Sequence, residues 1–333
     1  MAAPTRAGSA TPRTWPGVSV VMPVLNEERH LRAAVQAILD QDYPGEVEVV
    51  LALGPSRDRT DEVAAGLAAD ARVRTVPSPT GRTPNALNLA IAASRHPIVA
   101  RVDGHSVLPP GYLRSAVELL DRTGADNVGG LMSARGVTDF EQAVAHAMTS
   151  KIGVGNAPFH VGGTEGPADT VYLGVFRRTA LERVGGYDED FVRAQDWEMN
   201  FRIRDSGGLV WFSPTLSVSY RPRGSLRALA SQYFHYGRGR RHVVRTHKGS
   251  VNLRYLAPPT ALLGVVAGIV LSTFVSLWGL TLPLGYLALV IGGAVVTGRG
   301  LPARARLIEP VVLVTMHMSW AAGFLTSRRA VEE

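Results

Sequence analysis

Two stretches near the C-terminal end carry no charged residue, and they constrain the fold more than any other feature of the chain. Residues 256–278 read LAPPTALLGVVAGIVLSTFVSLW, and residues 281–297 read TLPLGYLALVIGGAVVT. A helix of roughly 17–25 apolar residues crosses the hydrocarbon core of a bilayer, and both stretches have that length. Only Gly279 and Leu280 separate them, so the pair reads as a helical hairpin closed by a turn. Buried helices of a soluble domain are the alternative, and the lack of any charged face fits that poorly. A third apolar segment, 307–326, contains Glu309, Pro310 and His317, and reads either as a span or as a helix lying at the interface.

Basic residues orient the hairpin. Nine Arg or Lys lie between Arg221 and Arg254, and Arg299, Arg304 and Arg306 follow the second stretch. Both regions are expected on the cytoplasmic side. The globular part is then cytoplasmic, on a multi-pass protein of the inner membrane. The expected organisation is a disordered tail over 1–16, a catalytic domain over 17–225, a basic amphipathic juxtamembrane segment over 226–254, two or three membrane helices over 255–326, and a tail over 327–333. The first segment has no apolar run of the signal-peptide kind.

The formal charge of +7 comes almost wholly from arginine, since Lys151 and Lys248 are the only lysines. Arginine suits bidentate phosphate contacts, although a GC-rich genome gives the same bias. With no cysteine, disulfides, zinc–thiolate sites and Cys nucleophiles are excluded. A nucleic-acid partner is suggested by the basic stretch 238–254, but its few aromatic residues and the membrane segments argue against it.

From Val18 the pattern alternates between strand and helix. VSVVMPV (18–24) and VEVVLAL (47–53) are continuous apolar runs, expected for strands buried on both faces. Helices are expected over about 31–39, with Asn26 as a cap, and over 60–69 and 84–93. Further strands are expected at 73–76, 98–102 and 127–132. This βαβ series predicts an α/β fold, with a mostly parallel sheet and helices on both faces. VYLGVFR and GLVWFS are later strand candidates, and the Gly-rich stretch 153–170 reads as a mobile loop.

In such sheets ligands bind beyond the carboxyl ends of the strands. Asn26, Glu27 and Glu28 follow the first strand, Ser56 and Asp58 the second, and Asp103 and His105 the fourth. No G-x-G-x-x-G follows the first strand, so the dinucleotide-binding fingerprint is missing. A carboxylate and a neutral imidazole suit Mg²⁺ or Mn²⁺, with the nitrogen favouring Mn²⁺. An Asp-Gly turn is the plainer reading of the same residues.

The segments VSVVMPVLNEERHLRAAVQAIL, GRTPNALNLAIAAS, IVARVDGHS, VGGYDEDFVRAQDWEMNFRIRDSGG and QYFHYGRGRR resemble, in order, the motifs of family 2 glycosyltransferases. D-G-H in place of D-x-D is similar to bacterial exopolysaccharide glycosyltransferases of the succinoglycan-pathway type. The resemblance covers about 18–245. It implies the GT-A fold, a Rossmann-like mixed sheet, with C-terminal transmembrane helices. It also implies a nucleotide-diphosphate sugar as donor, Mg²⁺ or Mn²⁺, and a lipid-linked or polysaccharide acceptor, possible pathway proteins being further partners.

Residue by residue, the resemblance implies that Pro23, Asn26 and Glu27 (the P-x-x-N-E element) with Asp58, Arg82 and Asn88 bind the donor. Asp103 would contact the ribose and the metal, with His105 in the place of the second Asp. Asp196 would be the catalytic base; the cap of the helix that follows is its structural alternative. Gln195 replaces the usual Glu. Gly186, Tyr187 and Asp188, with Gln195 and Trp197, would lie on the acceptor side, or form an ordinary turn. Gln232, Arg238, Arg240 and Arg241 would neutralise the leaving diphosphate, or attract anionic lipid. His235 and Tyr236 replace the usual Arg and Trp. Gly54 and Pro55 stand where acidic residues that read the base are common. A polyprenyl-phosphate sugar transferase and an inactive nucleotide-sugar-binding scaffold are the alternatives to sugar transfer onto a glycan.

Overall fold

A computed structural model describes residues 14–327. The N-terminal tail expected at 1–16 falls outside this range except for 14–16, and the C-terminal tail expected at 327–333 except for 327. The first half alternates as the apolar pattern requires: β1 (Val18–Val24), α1 (Leu31–Leu39), β2 (Val47–Leu53), α2 (Thr60–Leu67), β3 (Val73–Pro77), α3 (Thr83–Ala93), β4 (Ile98–Arg101), α4 (Tyr112–Thr123) and β5 (Asn127–Ala134). There follow α5 (Asp139–Thr149), the short α6 (Lys151–Val154) and α7 (Pro158–Val161), β6 (Gly166–Pro167), β7 (Tyr172–Arg177), α8 (Arg178–Val184), α9 (Gln195–Asp205) and β8 (Val210–Tyr220). The chain ends in α10 (Leu226–Thr246), α11 (Ala257–Phe274), α12 (Thr281–Thr297) and α13 (Ala303–Thr326).

The eight strands form one sheet in the order β3-β2-β1-β4-β7-β5-β8-β6. The first four pair in parallel, as the βαβ reading predicts. β7 then inserts antiparallel to both β4 and β5, so the sheet is mixed. Apolar periodicity reports burial and not strand direction, so β7's reversal has no signature in the sequence. Alternate residues of β1 feed the two faces: Val20 and Met22 pack with α1, α2 and α4, and Val21 with α3 and α9. In α1 the buried Leu31, Ala34, Val35 and Ile38 make the expected stripe. A bulge between β5 and β8 brings Gly130 so near the Leu216 carbonyl that an added Cβ would lie 1.6 Å from its oxygen.

Two local expectations are corrected. Asn26 does not cap α1, because the cap position is His30 and no side chain serves it. Asn26 instead takes a left-handed backbone, φ 57°, that Asn tolerates. The stretch 153–170 is built rather than loose: it holds α7 and β6, and β6 pairs with β8.

α13 lies along α10 and also packs on α5. Two glycines permit the close approach: a Cβ on Gly237 would sit 2.0 Å from the Trp320 carbonyl oxygen, and one on Gly323 2.0 Å from that of Phe234. The three stretches Leu253–Phe274, Leu277–Gly300 and Ala303–Thr326 are each long and apolar enough to cross a membrane. They are not alike. Only 11% of each of the first two is buried, with Leu263, Ile269, Phe274, Leu284 and Leu289 exposed, whereas 39% of the third is buried. A 3₁₀ turn over Leu277–Leu280 joins α11 to α12.

Candidate active site

Parallel pairing of β1 with β2 and β4 brings their carboxyl ends to one edge of the sheet. The loops after β1 and β2 are laced together there. Asn26 accepts a hydrogen bond from Arg57 N–H at 2.8 Å, and the N–H groups of Glu27 and Glu28 donate to Thr60 Oγ1 (2.7 Å) and Asp58 Oδ2 (3.2 Å). The Thr60 hydroxyl, ahead of the backbone donors of Glu28 and Thr60, holds the Asp58 carboxyl below its ordinary value despite some desolvation. Asp58 thus shapes the rim. Pro23 is a β1 residue in register with Ala52, and Arg82 is exposed at the start of α3.

The fourth strand supplies the centre. The buried Arg101 guanidinium, 5% exposed, donates to Asp103 Oδ1 from Nε (3.1 Å) and Nη2 (3.0 Å), and from Nη1 to Asp196 Oδ1. One arginine therefore ties together the two carboxylates that the sequence places 93 residues apart. Burial, the largest single influence, would lower the Arg101 pKa, but Asp103 together with Tyr187 and Tyr172 outweighs it and the net direction is upward. His105 Nδ1 meets Glu27 Oε1 at 2.7 Å. That bond, against partial burial, raises the imidazole pKa. Gly104 permits the approach, since a Cβ there would lie 2.9 Å from Glu27 Cγ.

This donor set fits a hard divalent cation. An imidazole that gives its Nδ1–H to a carboxylate presents Nε2 as a ligand, the usual arrangement behind a metal-bound His. Among the described residues no group of three or more His, Asp and Glu could hold a metal. Asp103 and His105 would supply two ligands, and Mg²⁺ or Mn²⁺ in such sites takes its other oxygens from phosphate and water.

Asp196 sits in the first turn of α9, whose cap position is Ala194, so it is not the helix cap. Ala194 holds a left-handed φ of 62°, a strained setting for alanine, immediately before Gln195 and Asp196. Trp197 is 5% exposed; it stacks on Phe201, and the Arg240 guanidinium lies 4.3 Å from its ring centroid.

At the loop expected to face the acceptor, Asn88 donates to the Tyr187 carbonyl and accepts from the Tyr187 N–H, both at 2.8 Å, and also donates to Glu189 at 3.2 Å. Its amide, expected to contact the donor, is occupied here in pinning the loop of Gly186, Tyr187 and Asp188. Gly186, φ 75°, is needed there, because a Cβ would lie 2.7 Å from Asn88 Oδ1. Tyr187 is buried, which raises its hydroxyl to about 12. Asp188 accepts from the Asp190 N–H at 3.0 Å within the same turn.

α10 serves several directions. Gln232 donates to the hydroxyls of Tyr220 (2.8 Å) and Tyr236 (2.9 Å). Arg238 lies on the same helix. Arg240 turns to Trp197 and to Tyr255, 4.4 Å from the latter's centroid. Arg241, expected at the diphosphate, lies 5.1 Å over Phe324 of α13, so its guanidinium packs on that helix.

Sequence reasoning missed Arg101. It was hidden in the apolar run IVARV, where the one signal was a charge inside an otherwise buried strand, a placement that requires paired partners. It also missed the contact between Arg240 and the residue that follows Asp196, which only α10's path across α9 creates.

Residues 19–185 match the family model described as glycosyl transferase family 2. The chain is 32% identical over 309 residues, 92% of its own length and 93% of the relative's, to the succinoglycan biosynthesis protein ExoA of Rhizobium meliloti (strain 1021). It is 23% identical, over 72% of this chain and 77% of the relative, to a dolichyl N-acetyl-alpha-D-glucosaminyl phosphate 3-beta-D-2,3-diacetamido-2,3-dideoxy-beta-D-glucuronosyltransferase of Methanococcus voltae. Its fold is similar to that of the mannosyltransferase PcManGT from Pyrobaculum calidifontis, solved with GDP-Man and Mn²⁺, at a TM-score of 0.61 and 21% identity over 96% of this chain and 89% of that one.

Proposed function

The chain belongs to glycosyl transferase family 2, and from that premise we propose that it moves a sugar from a nucleotide-diphosphate donor to a lipid-linked or polysaccharide acceptor beside the cytoplasmic membrane. The observation that carries the reading is the Arg101 clamp, which brings Asp103 and Asp196 together at the strand ends. Asp196 takes the proton from an acceptor hydroxyl as that oxygen attacks the anomeric carbon. The new C–O bond forms as the bond to the diphosphate oxygen breaks on the opposite face, so the configuration inverts. The electron pair leaves on the nucleoside diphosphate. Asp103 and His105 would hold Mg²⁺ or Mn²⁺, which when bound neutralises charge on that leaving group. Glu27 orients His105, and the laced loops after β1 and β2 wall the donor side. Asn88 fixes the acceptor-side loop.

The exposed hairpin of α11 and α12 supports anchoring in the membrane. The basic residues of 221–254 and 299–306 favour a cytoplasmic catalytic domain. An acceptor held at that membrane surface fits both.

The reading is tested by a donor screen. Full-length protein in detergent, with lipid extract from its source membrane, is offered UDP-, GDP- and TDP-sugars with Mn²⁺ or Mg²⁺. Metal-dependent release of one nucleoside diphosphate, abolished in Asp103→Ala, is expected. Binding of a nucleotide sugar with no release under any of these conditions would favour an inactive scaffold instead.

A further inference from the structure

Beside the residue that follows the proposed base, a positive charge lacks a counterion among the described residues. The Arg240 guanidinium is sandwiched between Trp197 and Tyr255, 4.3 and 4.4 Å from their ring centroids. Among the described residues it forms no ion pair, and its Nη1 is buried without a hydrogen-bond partner. Asp169, whose charge reaches it, is paired with Arg204 at 3.7 Å. The same Tyr255 ring carries a second guanidinium, Arg254, at 5.0 Å. Arg254 donates to the Tyr255 hydroxyl (3.0 Å) and the Asn156 carbonyl (3.2 Å), and among the described residues no carboxylate pairs with it. Burial first, and then the Arg254 charge, push Arg240 down to about 10. Trp197 Nε1 and His160 Nδ1 are also buried without partners, and burial together with Arg254's charge lowers His160 to about 4.

Unpaired buried donors and like charges held together are unfavourable unless something else satisfies them. An anion in the plane of the Arg240 guanidinium would satisfy its buried Nη1 and balance the two positive charges held on the Tyr255 ring. Stacked guanidiniums present fixed in-plane N–H groups that suit the paired oxygens of a phosphate. The ladder's position names the occupant's role. One end, Trp197, directly follows Asp196. The other, Tyr255, lies two residues before α11, the first membrane helix.

We infer that Trp197, Arg240, Tyr255 and Arg254 form an acceptor-side anion site that takes a phosphate or diphosphate ester, holding the acceptor between the membrane surface and Asp196. The inference rests on the reading of Asp196 as the base, and it moves Arg240 from the donor's diphosphate to the acceptor's. The phosphate can belong to a lipid head group or to a free phosphate compound, and the test separates these.

Full-length protein in detergent with EDTA is titrated calorimetrically with farnesyl diphosphate, farnesol and inorganic pyrophosphate, alongside Arg240→Gln and Arg254→Gln. Farnesyl diphosphate is expected to bind, and each variant to weaken it tenfold or more. Farnesol uptake should not respond to the variants. Pyrophosphate bound as tightly as farnesyl diphosphate, with the same sensitivity, supports the site with a free phosphate as its source. Folded variants with wild-type affinity overturn the site. Hydrogen exchange on the wild type covers variants that do not fold: absence of protection at 238–242 and 252–257 on adding farnesyl diphosphate also overturns it. If the wild type binds farnesyl diphosphate through Arg240 but never releases nucleoside diphosphate, the anion site stands and the transferase reading fails. If it transfers sugar while Arg240→Gln binds farnesyl diphosphate normally, the reverse holds.

Discussion

Replacing Arg101 with methionine removes the clamp while keeping most of the side-chain volume. The arginine makes two hydrogen bonds to Asp103 and one to Asp196, all charge-assisted. Bonds of that kind contribute about 1.5–3 kcal/mol each when made to charged groups. Removing one partner of a fully buried ion pair costs about 3–5 kcal/mol. Here the arginine is buried but Asp103 and Asp196 are 22% and 38% exposed, so water recovers part of the loss. A net cost of about 2–4 kcal/mol follows from these two bounds. For a domain of this size that is a melting point lower by about 5–15 °C. Activity should fall further than stability, because two carboxylates left without their common cation repel each other out of position. A drop in kcat of about a hundredfold is expected from misplacement of a catalytic group. Arg101→Lys keeps the charge without the fork and should lie between. Thermal melting in detergent and nucleoside diphosphate release measure the two effects. Arg101→Met with the melting point and kcat of the wild type would refute the clamp.

Three further outcomes are expected. Glu48, 2% exposed, accepts from Ser19 Oγ (2.7 Å) and from Arg95 N (2.6 Å) and Nε (3.0 Å). Burial would raise its carboxyl, but these bonds outweigh it and bring the folded value below 4.5, so its stabilisation is present above pH 4.5 and lost as pH falls through that lowered value. Glu48→Gln should cost about 2–4 kcal/mol at pH 7, with the gap to wild type closing at acid pH in denaturant titrations. Gly130→Ala cannot be accommodated beside the Leu216 carbonyl without opening the β5–β8 bulge, and should give protein that melts well below the wild type or does not accumulate. Asn88→Leu leaves the Tyr187 N–H and carbonyl unpaired, which costs about 1–3 kcal/mol for such groups, and should raise the KM for acceptor more than the KM for donor in steady-state kinetics.

The first four strands, the helices between them and the apolar hairpin were legible because burial on both faces, helical periodicity and absence of charge all leave local signatures. Motif order singles out Asp103, His105 and Asp196 as candidates, and the structure brings Asp103 and Asp196 onto one arginine. What was not legible depends on distant contacts. The reversal of β7, the built character of 153–170 and the seating of α13 on α10 are set by partners far along the chain. Arg101 looked like a strand residue because its meaning lies in Asp196. Position suggests Asn26 as a helix cap, which it is not, and says nothing of the loops about 30 and 100 residues away that the Asn26 and Asn88 side chains bridge. Arg240 and Arg241 are neighbours in sequence, but helical rotation sends one to Trp197 and the other to Phe324.

The central claim is that Asp103 and Asp196 serve one sugar-transfer reaction in different roles. Single-turnover transfer from the donor identified in the screen, with source-membrane lipid as acceptor, tests it most directly when donor binding is measured in the same samples. Asp196→Asn should bind donor with near wild-type affinity and lose transfer by about a hundredfold to ten-thousandfold, the range for removal of a general base. Asp103→Ala should lose metal-dependent donor binding itself. Transfer at the wild-type rate by Asp196→Asn, or metal-dependent donor binding unchanged in Asp103→Ala, would contradict the account.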